Sequence, residues 1–329
     1  MDTRRLGRSD LYVSALGLGC WPIGGPMARG DQQLGYTGAD DDESLRAIAA
    51  AVEQGVTLFD TADAYGAGHS ERLLGRALAG HPEVRVATKF GNTIDEDTRQ
   101  LTGNDTSPAY VRRAVEASLR RLRRDRIDLY QLHTPGVEAQ RAAELVEVLE
   151  ELVQRGLIRW YGVSTDDPDQ ARPFLDGPHF AVIQLQLNVL DGPAPTLDLA
   201  EQHDLGVLCR SPLAMGLLGG RYTAGTHVPD GDVRSRQPEW LQWFDDGVPT
   251  AEFLSRLTSV REVLTARGRS LAQGALAWIW ARSERAVPLP GFRTVAHVRD
   301  SVGVQQYGPL MPDEFEAVEL ALGREPVRA

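Results

Sequence analysis

Short apolar strand patterns alternate with helix patterns eight times along this chain, and that rhythm limits the folds open to it. A strand separated from the next by a helix pairs with it in parallel, because the helix carries the chain back across the sheet. Eight such units in 329 residues, with no shift of composition to mark a domain boundary, favour one closed (β/α)₈ TIM barrel over residues 1–329. An open, doubly wound sheet that binds a dinucleotide carries G-x-G-x-x-G after its first strand. GLGCWPIGG (residues 17–25) lacks that spacing.

The barrel is preceded by a predicted β-hairpin over 3–16, turning at residues 7–10, and is interrupted by long loops on its C-terminal side. A Gly/Asp-rich loop is expected over 26–40 and a polar loop over 91–106. Between them a helix over 43–54 starts after three aspartates and stops at Gly55. Ser107-Pro108 reads as an N-cap followed by Pro at the first helical position, continued at helical spacing by Val111, Val115, Leu119 and Leu122. Arg120, Arg121, Arg123 and Arg124 then read as a solvated helix face. The stretch 213–250 breaks the rhythm, and a loop that long in a compact domain is usually functional. A helical stretch over 252–281 is interrupted near residues 267–269, and a last helix starts at Pro312.

Chemistry gathers first in TLFDTADAYGAGHSERLLG (residues 57–75), where a short strand delivers Asp60 into a small-residue loop and Tyr65 follows. The second signal is a count: of 35 basic residues, the only Lys is Lys89. Lys is a compact charge whose pKa shifts readily on burial, unlike Arg. Lys89 ends a strand with Val84, Val86 and Thr88 on one face and Ala87 and Lys89 on the other. In a barrel the C-terminal strand ends form the active face. Asp60, Tyr65, Lys89, His133, Ser164, Gln184 and Arg210 all fall there. No His-x-His strand or His-x-x-x-His helix is present, so no metal site is expected.

Bulk properties narrow the partners. A net charge of −11 spread along the chain disfavours nucleic acid and anionic membrane surfaces. No stretch approaches the roughly 20 apolar residues of a membrane span, and the N-terminus has no apolar signal core, so a cytoplasmic protein is expected. Cys20 and Cys209 read as buried free thiols. No heptad run or large apolar stripe indicates an oligomeric state.

Several motifs together resemble the aldo-keto reductase family: FDTADAYGAGHSERLLGRAL, VATKFG, DLYQLHTP, GVST, RSPLAMGLLGG and PLPGFRTVAHV, in the family's order and over essentially the whole chain. The resemblance implies a barrel that binds NADP(H) in extended form and reduces a small carbonyl compound. It implies Asp60, Tyr65, Lys89 and His133 as a catalytic tetrad. Tyr65 is then the proton donor, and its ordinary pKa near 10 is expected to be lowered by Lys89. Asp60 holds Lys89, and His133 orients the carbonyl. The same resemblance places Ser164, Thr165 and Gln184 at the nicotinamide, Ser211, Leu213 and Gly216 at the pyrophosphate, and Arg293, His297 and Ser301 at the adenosine 2′-phosphate.

The chain also departs from the family. Thr165 replaces the Asn usual after the Ser of GVS. Arg210 stands where many members stack an aromatic residue, and a cation there is expected to disfavour oxidised nicotinamide. His297 and Ser301 stand where Arg or Gln, and Asn, are usual, which bears on preference for NADP over NAD. Trp21, Trp240 and Trp243 are the expected walls of the substrate pocket, with Trp240 and Trp243 equally readable as packing their loop onto the barrel rim. Aromatic walls suit a sugar face or an aryl aldehyde alike, and the polar loops lean toward a hydroxylated substrate such as a sugar or keto-sugar. Two other functions fit the same fold: a slow NADPH-binding regulatory subunit, since potassium-channel β-subunits resemble these reductases, and a Schiff-base aldolase acting through Lys89.

Overall fold

The computed structural model describes residues 1–192, 194–235 and 241–325, so Trp240 lies outside the described residues. Eight parallel strands form one barrel in sequence order: Leu18–Gly19, Leu58–Asp60, Arg85–Phe90, Ile127–Leu132, Ile158–Ser164, Phe180–Gln186, Gly206–Arg210 and Ala286–Pro288. The ring closes where the Gly17 amide donates to the Pro288 carbonyl and the Gly19 amide to the Pro290 carbonyl, both at 3.0 Å. Gly19 suits this seam because a Cβ there would sit 2.9 Å from the Leu289 carbonyl oxygen.

Successive side chains of a strand point to opposite faces, and this period organises both core and site. Phe59, Val86, Tyr130, Ile183 and Val207 point outward into the shell packed under the helices. Leu58, Ala87, Leu129, Val182, Leu208 and Val287 point inward and fill the barrel. Two residues further along, the same inward face carries Asp60, Lys89, Gln131, Gln184 and Arg210. The apolar layer is thus the floor on which a polar layer stands.

The expected N-terminal hairpin is present as Thr3–Arg5 paired with Tyr12–Ser14. It stoppers the opposite end of the barrel, with Leu6, Leu11 and Val13 in the interior cluster. Gly7 makes this fit possible: its φ is +53°, and a Cβ would lie 2.3 Å from the Gly206 nitrogen. Arg8 fixes the hairpin by donating to the carbonyls of Leu175, Gly177 and Phe180.

The helices follow their end signals. Pro108–Leu122 buries Val111, Val115, Leu119 and Leu122, and the Ser107 hydroxyl accepts from the Tyr110 amide. Such a cap contributes about 1 kcal/mol. The helix expected from Glu43 starts earlier, as Asp41–Glu53, because Asp40 caps it. Asp41 and Asp42 then lie in its first turn, where the helix dipole favours negative charge. The predicted break separates Ala251–Thr265 from Leu271–Arg282, with Arg267 at φ +61°.

Three expectations are corrected. The regions expected as loops over 26–40 and 91–106 contain short strands, Ala28–Arg29, Gln32–Gln33, Asn92–Asp95 and Gln100–Asn104, which form a four-stranded sheet. These strands are short and polar, so no apolar alternation announces them. The arginine run is not uniformly solvated: Arg121 is 9% exposed in its side chain and pairs at 2.6 Å with fully buried Glu71, which accepts from Thr88 on the neighbouring strand. Residues 213–250 are a loop only in part. They hold 3-10 turns at Ala214–Gly219 and Val233–Ser235 and a small ribbon, Phe244–Asp245 with Val248–Pro249. Among the described residues no helix is long and apolar enough to cross a membrane, and Cys20 and Cys209 are free and buried.

Candidate active site

Lys89 Nζ is the hub of the polar layer. It donates to Asp60 Oδ2 at 2.5 Å, to the Thr61 carbonyl at 2.9 Å and to Tyr65 Oη at 3.2 Å. Its side chain is 0% exposed and that of Asp60 4%. The second oxygen of Asp60 is held too, accepting from Gln131 Nε2 at 3.1 Å and Gln184 Nε2 at 2.8 Å. Tyr65 stacks on Trp21, ring centroids 5.9 Å apart and planes 17° apart, and meets His133 edge-on at 5.9 Å. Trp21 is fixed in turn by its indole N–H to the Leu34 carbonyl, 3.2 Å. The four residues expected as a tetrad are therefore together at the C-terminal end of the barrel.

Their electrostatics partly correct the expectation. Burial raises the Tyr65 pKa, and the lowering pull of Lys89 does not overcome it, so the phenol lies above its ordinary 10 rather than below. Burial works to lower the Lys89 pKa, but Asp60 and then Tyr65 more than offset it, leaving the ammonium firmly charged. His133 is driven down to about 3, first by burial and then by the charges of Lys89 and Arg210. It is therefore a neutral imidazole, and its buried Nδ1 has no hydrogen-bond partner among the described residues. A prediction follows: kcat/KM for carbonyl reduction shows no ionisation near 6.5, the ordinary imidazole value. A limb there that disappears in His133→Gln contradicts this.

The site opens into a cavity of about 1150 Å³. It is lined by Trp21, Tyr65, His133 and Trp243, and also by Arg293, His297 and Ser301. Ser164, Thr165, Gln184, Arg210, Ser211, Leu213 and Gly216 line the same cavity. The stretch after the seventh strand is unusual: Ser211, Ala214, Met215 and Gly216 all have positive φ. Such conformations cost about 1–3 kcal/mol each for non-glycine residues and cluster at ligand-binding sites.

Two loops meet across the cavity. The Val233 amide donates to the Gly35 carbonyl at 2.9 Å, and the buried Arg234 guanidinium lies 5.1 Å over the Tyr36 ring. Arg234 is neutralised by Asp232 at 2.7 Å and also donates to the Met215 carbonyl. Arg293 reaches across to the Thr37 carbonyl at 2.8 Å, and the His297 Nδ1 accepts from the Arg293 amide at 3.3 Å. Trp243 is buried against Phe253, 5.7 Å between centroids, while still lining the cavity.

Several of these residues were not expected. Gln131 was readable, because it lies between Leu129 and His133 on the inward face. Asp166 was not: it is one of four consecutive polar residues, yet it pairs with Arg210, which also donates to Gln186 at 2.9 Å. The cation expected beside the nicotinamide is thus offset by a carboxylate. Arg221 and Arg234 line the cavity from inside the stretch 213–250, where no strand or helix period places a side chain.

The Aldo/keto reductase family profile matches residues 15–322. The Bacillus subtilis oxidoreductase YqkF is 30% identical, the match spanning 97% of this chain and 96% of that protein. An Escherichia coli NADH-specific methylglyoxal reductase is 33% identical, over 90% and 91%. Among solved structures, a glycerol dehydrogenase from Gluconobacter oxydans superposes with a TM-score of 0.82 at 34% identity, covering 99% of this chain and 98% of that one. A Klebsiella pneumoniae aldo-keto reductase in complex with NADPH superposes with a TM-score of 0.71 at 26% identity, over 99% and 96%.

Proposed function

Because this chain belongs to the aldo-keto reductase family, we propose that its NADP(H)-dependent oxidoreductase activity is the reduction of an aldehyde or ketone with Tyr65 as the proton donor. The observation that carries this is Lys89 Nζ bridging Asp60 and Tyr65 at the floor of the cavity. Bound NADPH supplies the hydride. Negative charge then develops on the carbonyl oxygen, which needs a proton and hydrogen-bond donors in place beforehand. Tyr65 Oη gives the proton, and the Lys89 ammonium stabilises the tyrosinate left behind. Asp60 keeps Lys89 charged and positioned. Neutral His133 offers a ring N–H to the same carbonyl oxygen without competing for the proton. A charged Lys89 is unsuited to Schiff-base chemistry, which needs a neutral amine.

The donor set along the cavity fits a dinucleotide phosphate. Ser164 and Gln184 stand beside the tetrad, where the nicotinamide carboxamide belongs, with Thr165 next to them. The turn from Ser211 through Leu213 to Gly216 would hold the pyrophosphate. Arg293 spends one N–H on Thr37 and keeps further donors of its planar fork for the 2′-phosphate, with His297 and Ser301 at its side. Replacing Arg293 by Ala is expected to weaken NADPH binding about tenfold, the value of one charge-assisted hydrogen bond, and NADH binding far less. Titration by nicotinamide fluorescence reads both; equal losses remove Arg293 from the phosphate.

For the substrate, the aromatic and polar walls suit a small hydroxylated carbonyl compound, and the solved glycerol dehydrogenase is in keeping with that. Turnover of NADPH with a neutral reactive aldehyde such as 4-nitrobenzaldehyde tests the reading. Tight NADPH binding with no turnover across aldehydes and ketones overturns it in favour of a regulatory subunit.

A further inference from the structure

Among the described residues five arginines line the cavity: Arg29, Arg210, Arg221, Arg234 and Arg293. Arg210 and Arg234 are neutralised by Asp166 and Asp232. Arg293 and Arg221 act on each other through their charges at the phosphate end, beside His297. Arg29 differs from all of these in its partner, an amide that leads to His133. It sits on the strand Ala28–Arg29 of the four-stranded sheet. Its Nη2 donates to Asn92 Oδ1 at 3.2 Å, and Asn92 Nδ2 donates in turn to the backbone carbonyl of His133 at 3.4 Å. Asn104 Nδ2 supports the same Asn92 oxygen at 3.1 Å. Two hairpins therefore tie this exposed guanidinium, through Asn92, to the backbone of the residue assigned to orient the carbonyl.

Its surroundings make the charge informative. The nearby wall is apolar, with Trp21, Met27, Leu34 and Leu101 lining the same cavity. Asp31 stands in the turn of the same hairpin, yet Arg29 forms no ion pair with it or with any carboxylate among the described residues. Asn92 takes one of the five donors that a guanidinium carries. A neutral molecule covering Arg29 would strip water from a charge and return nothing, which is a cost. An anionic group returns a charge-assisted, bidentate pair.

We propose that the carbonyl substrate carries an anionic group, a carboxylate or a phosphate, that Arg29 receives while the carbonyl meets Tyr65 and His133. This rests on the reductase reading and names the substrate class for that site. Arg29 is then the residue that selects the substrate, with no part in the proton transfer.

The experiment compares matched pairs that share a reacting group and differ in charge. One pair is 4-carboxybenzaldehyde and its neutral isostere 4-nitrobenzaldehyde; the other is glyceraldehyde 3-phosphate and glyceraldehyde. The readout is the ratio of kcat/KM, charged over neutral, which cancels general damage to the enzyme. In the wild type at least one pair should give a ratio of about ten or more, carried by KM, as one charge-assisted pair predicts. Which pair does so tells carboxylate from phosphate. The ratio should fall toward one in Arg29→Met, keep part of its value in Arg29→Lys, and shrink as salt rises. Ratios near one for both pairs in the wild type, or a preference that survives Arg29→Met, overturn the proposal. Turnover of the neutral members stands apart from both results and tests the reductase reading alone.

Discussion

Replacing Tyr65 by Phe should lower kcat for carbonyl reduction by about a hundredfold to ten-thousandfold, the range that a positioned general acid supplies. The substitution removes one oxygen and keeps the ring. The stack on Trp21 and the edge contact with His133 therefore persist. Lys89 loses one acceptor but retains Asp60 and the Thr61 carbonyl, so the buried charge stays compensated and the fold should stand. NADPH affinity should change little, because none of the residues assigned to the dinucleotide is altered and Gln184 keeps its bond to Asp60. This separates a chemical loss from a structural one. A kcat within tenfold of wild type, with stability unchanged, removes Tyr65 as the acid. The His133 ring is the other group assigned to the carbonyl oxygen, and its pKa of about 3 makes it a poor proton carrier at neutral pH, so no substitute acid of matching strength stands ready.

How far the sequence revealed this arrangement depended on periodicity. On a strand buried in a barrel, an apolar inward residue fixes which later positions face the same way. Leu58 points to Asp60, Ala87 to Lys89, Val182 to Gln184 and Leu208 to Arg210. The same argument extends from Leu129 to Gln131 and His133, so Gln131 was legible in principle. The tetrad was legible for a second reason, since a single Lys among so many arginines stands out.

Where the period fails, so does the reading. Strands of two to five residues with at most one apolar side chain each, such as Gln32–Gln33 and Gln100–Asn104, carry no apolar alternation, so the sheet beside the tetrad was hidden and Arg29 with it. Arg234 and Asp232 are buried by contacts between segments far apart in the chain, and no local signal distinguishes them from surface charges. The same holds for Arg121, whose burial comes from Glu71 on another helix. The pKa of Tyr65 departs from the expectation because a nearby cation can be read from a motif, whereas the depth of burial that opposes it cannot.

The largest effect on stability should come from splitting the Asp60–Lys89 pair. Removing one partner of a buried ion pair typically costs about 3–5 kcal/mol, because the other charge is left without compensation. Lys89→Met leaves the Asp60 carboxylate with only the Gln131 and Gln184 amides. Asp60→Asn leaves the Lys89 ammonium with a carbonyl and a phenol. Combining the two changes removes both charges at once, so the double variant should be less destabilised than the sum of the singles by about 2 kcal/mol or more. Urea unfolding of all four proteins measures this coupling, and simple additivity shows that the pair does not hold the site together. Activity should part company with stability. In the double variant the fold partly recovers, but the cation beside Tyr65 is gone, so kcat should stay as low as in Lys89→Met. Asp60→Asn should differ from both through pH. In the wild type Lys89 is held above its ordinary 10.5 by Asp60 and Tyr65. Without Asp60, burial dominates and the pKa falls. The ammonium is then present at low pH and lost as pH rises, so the remaining rate should decline with rising pH where the wild-type rate does not. A pH profile of Asp60→Asn that parallels the wild type would show that Asp60 positions Lys89 without sustaining its charge.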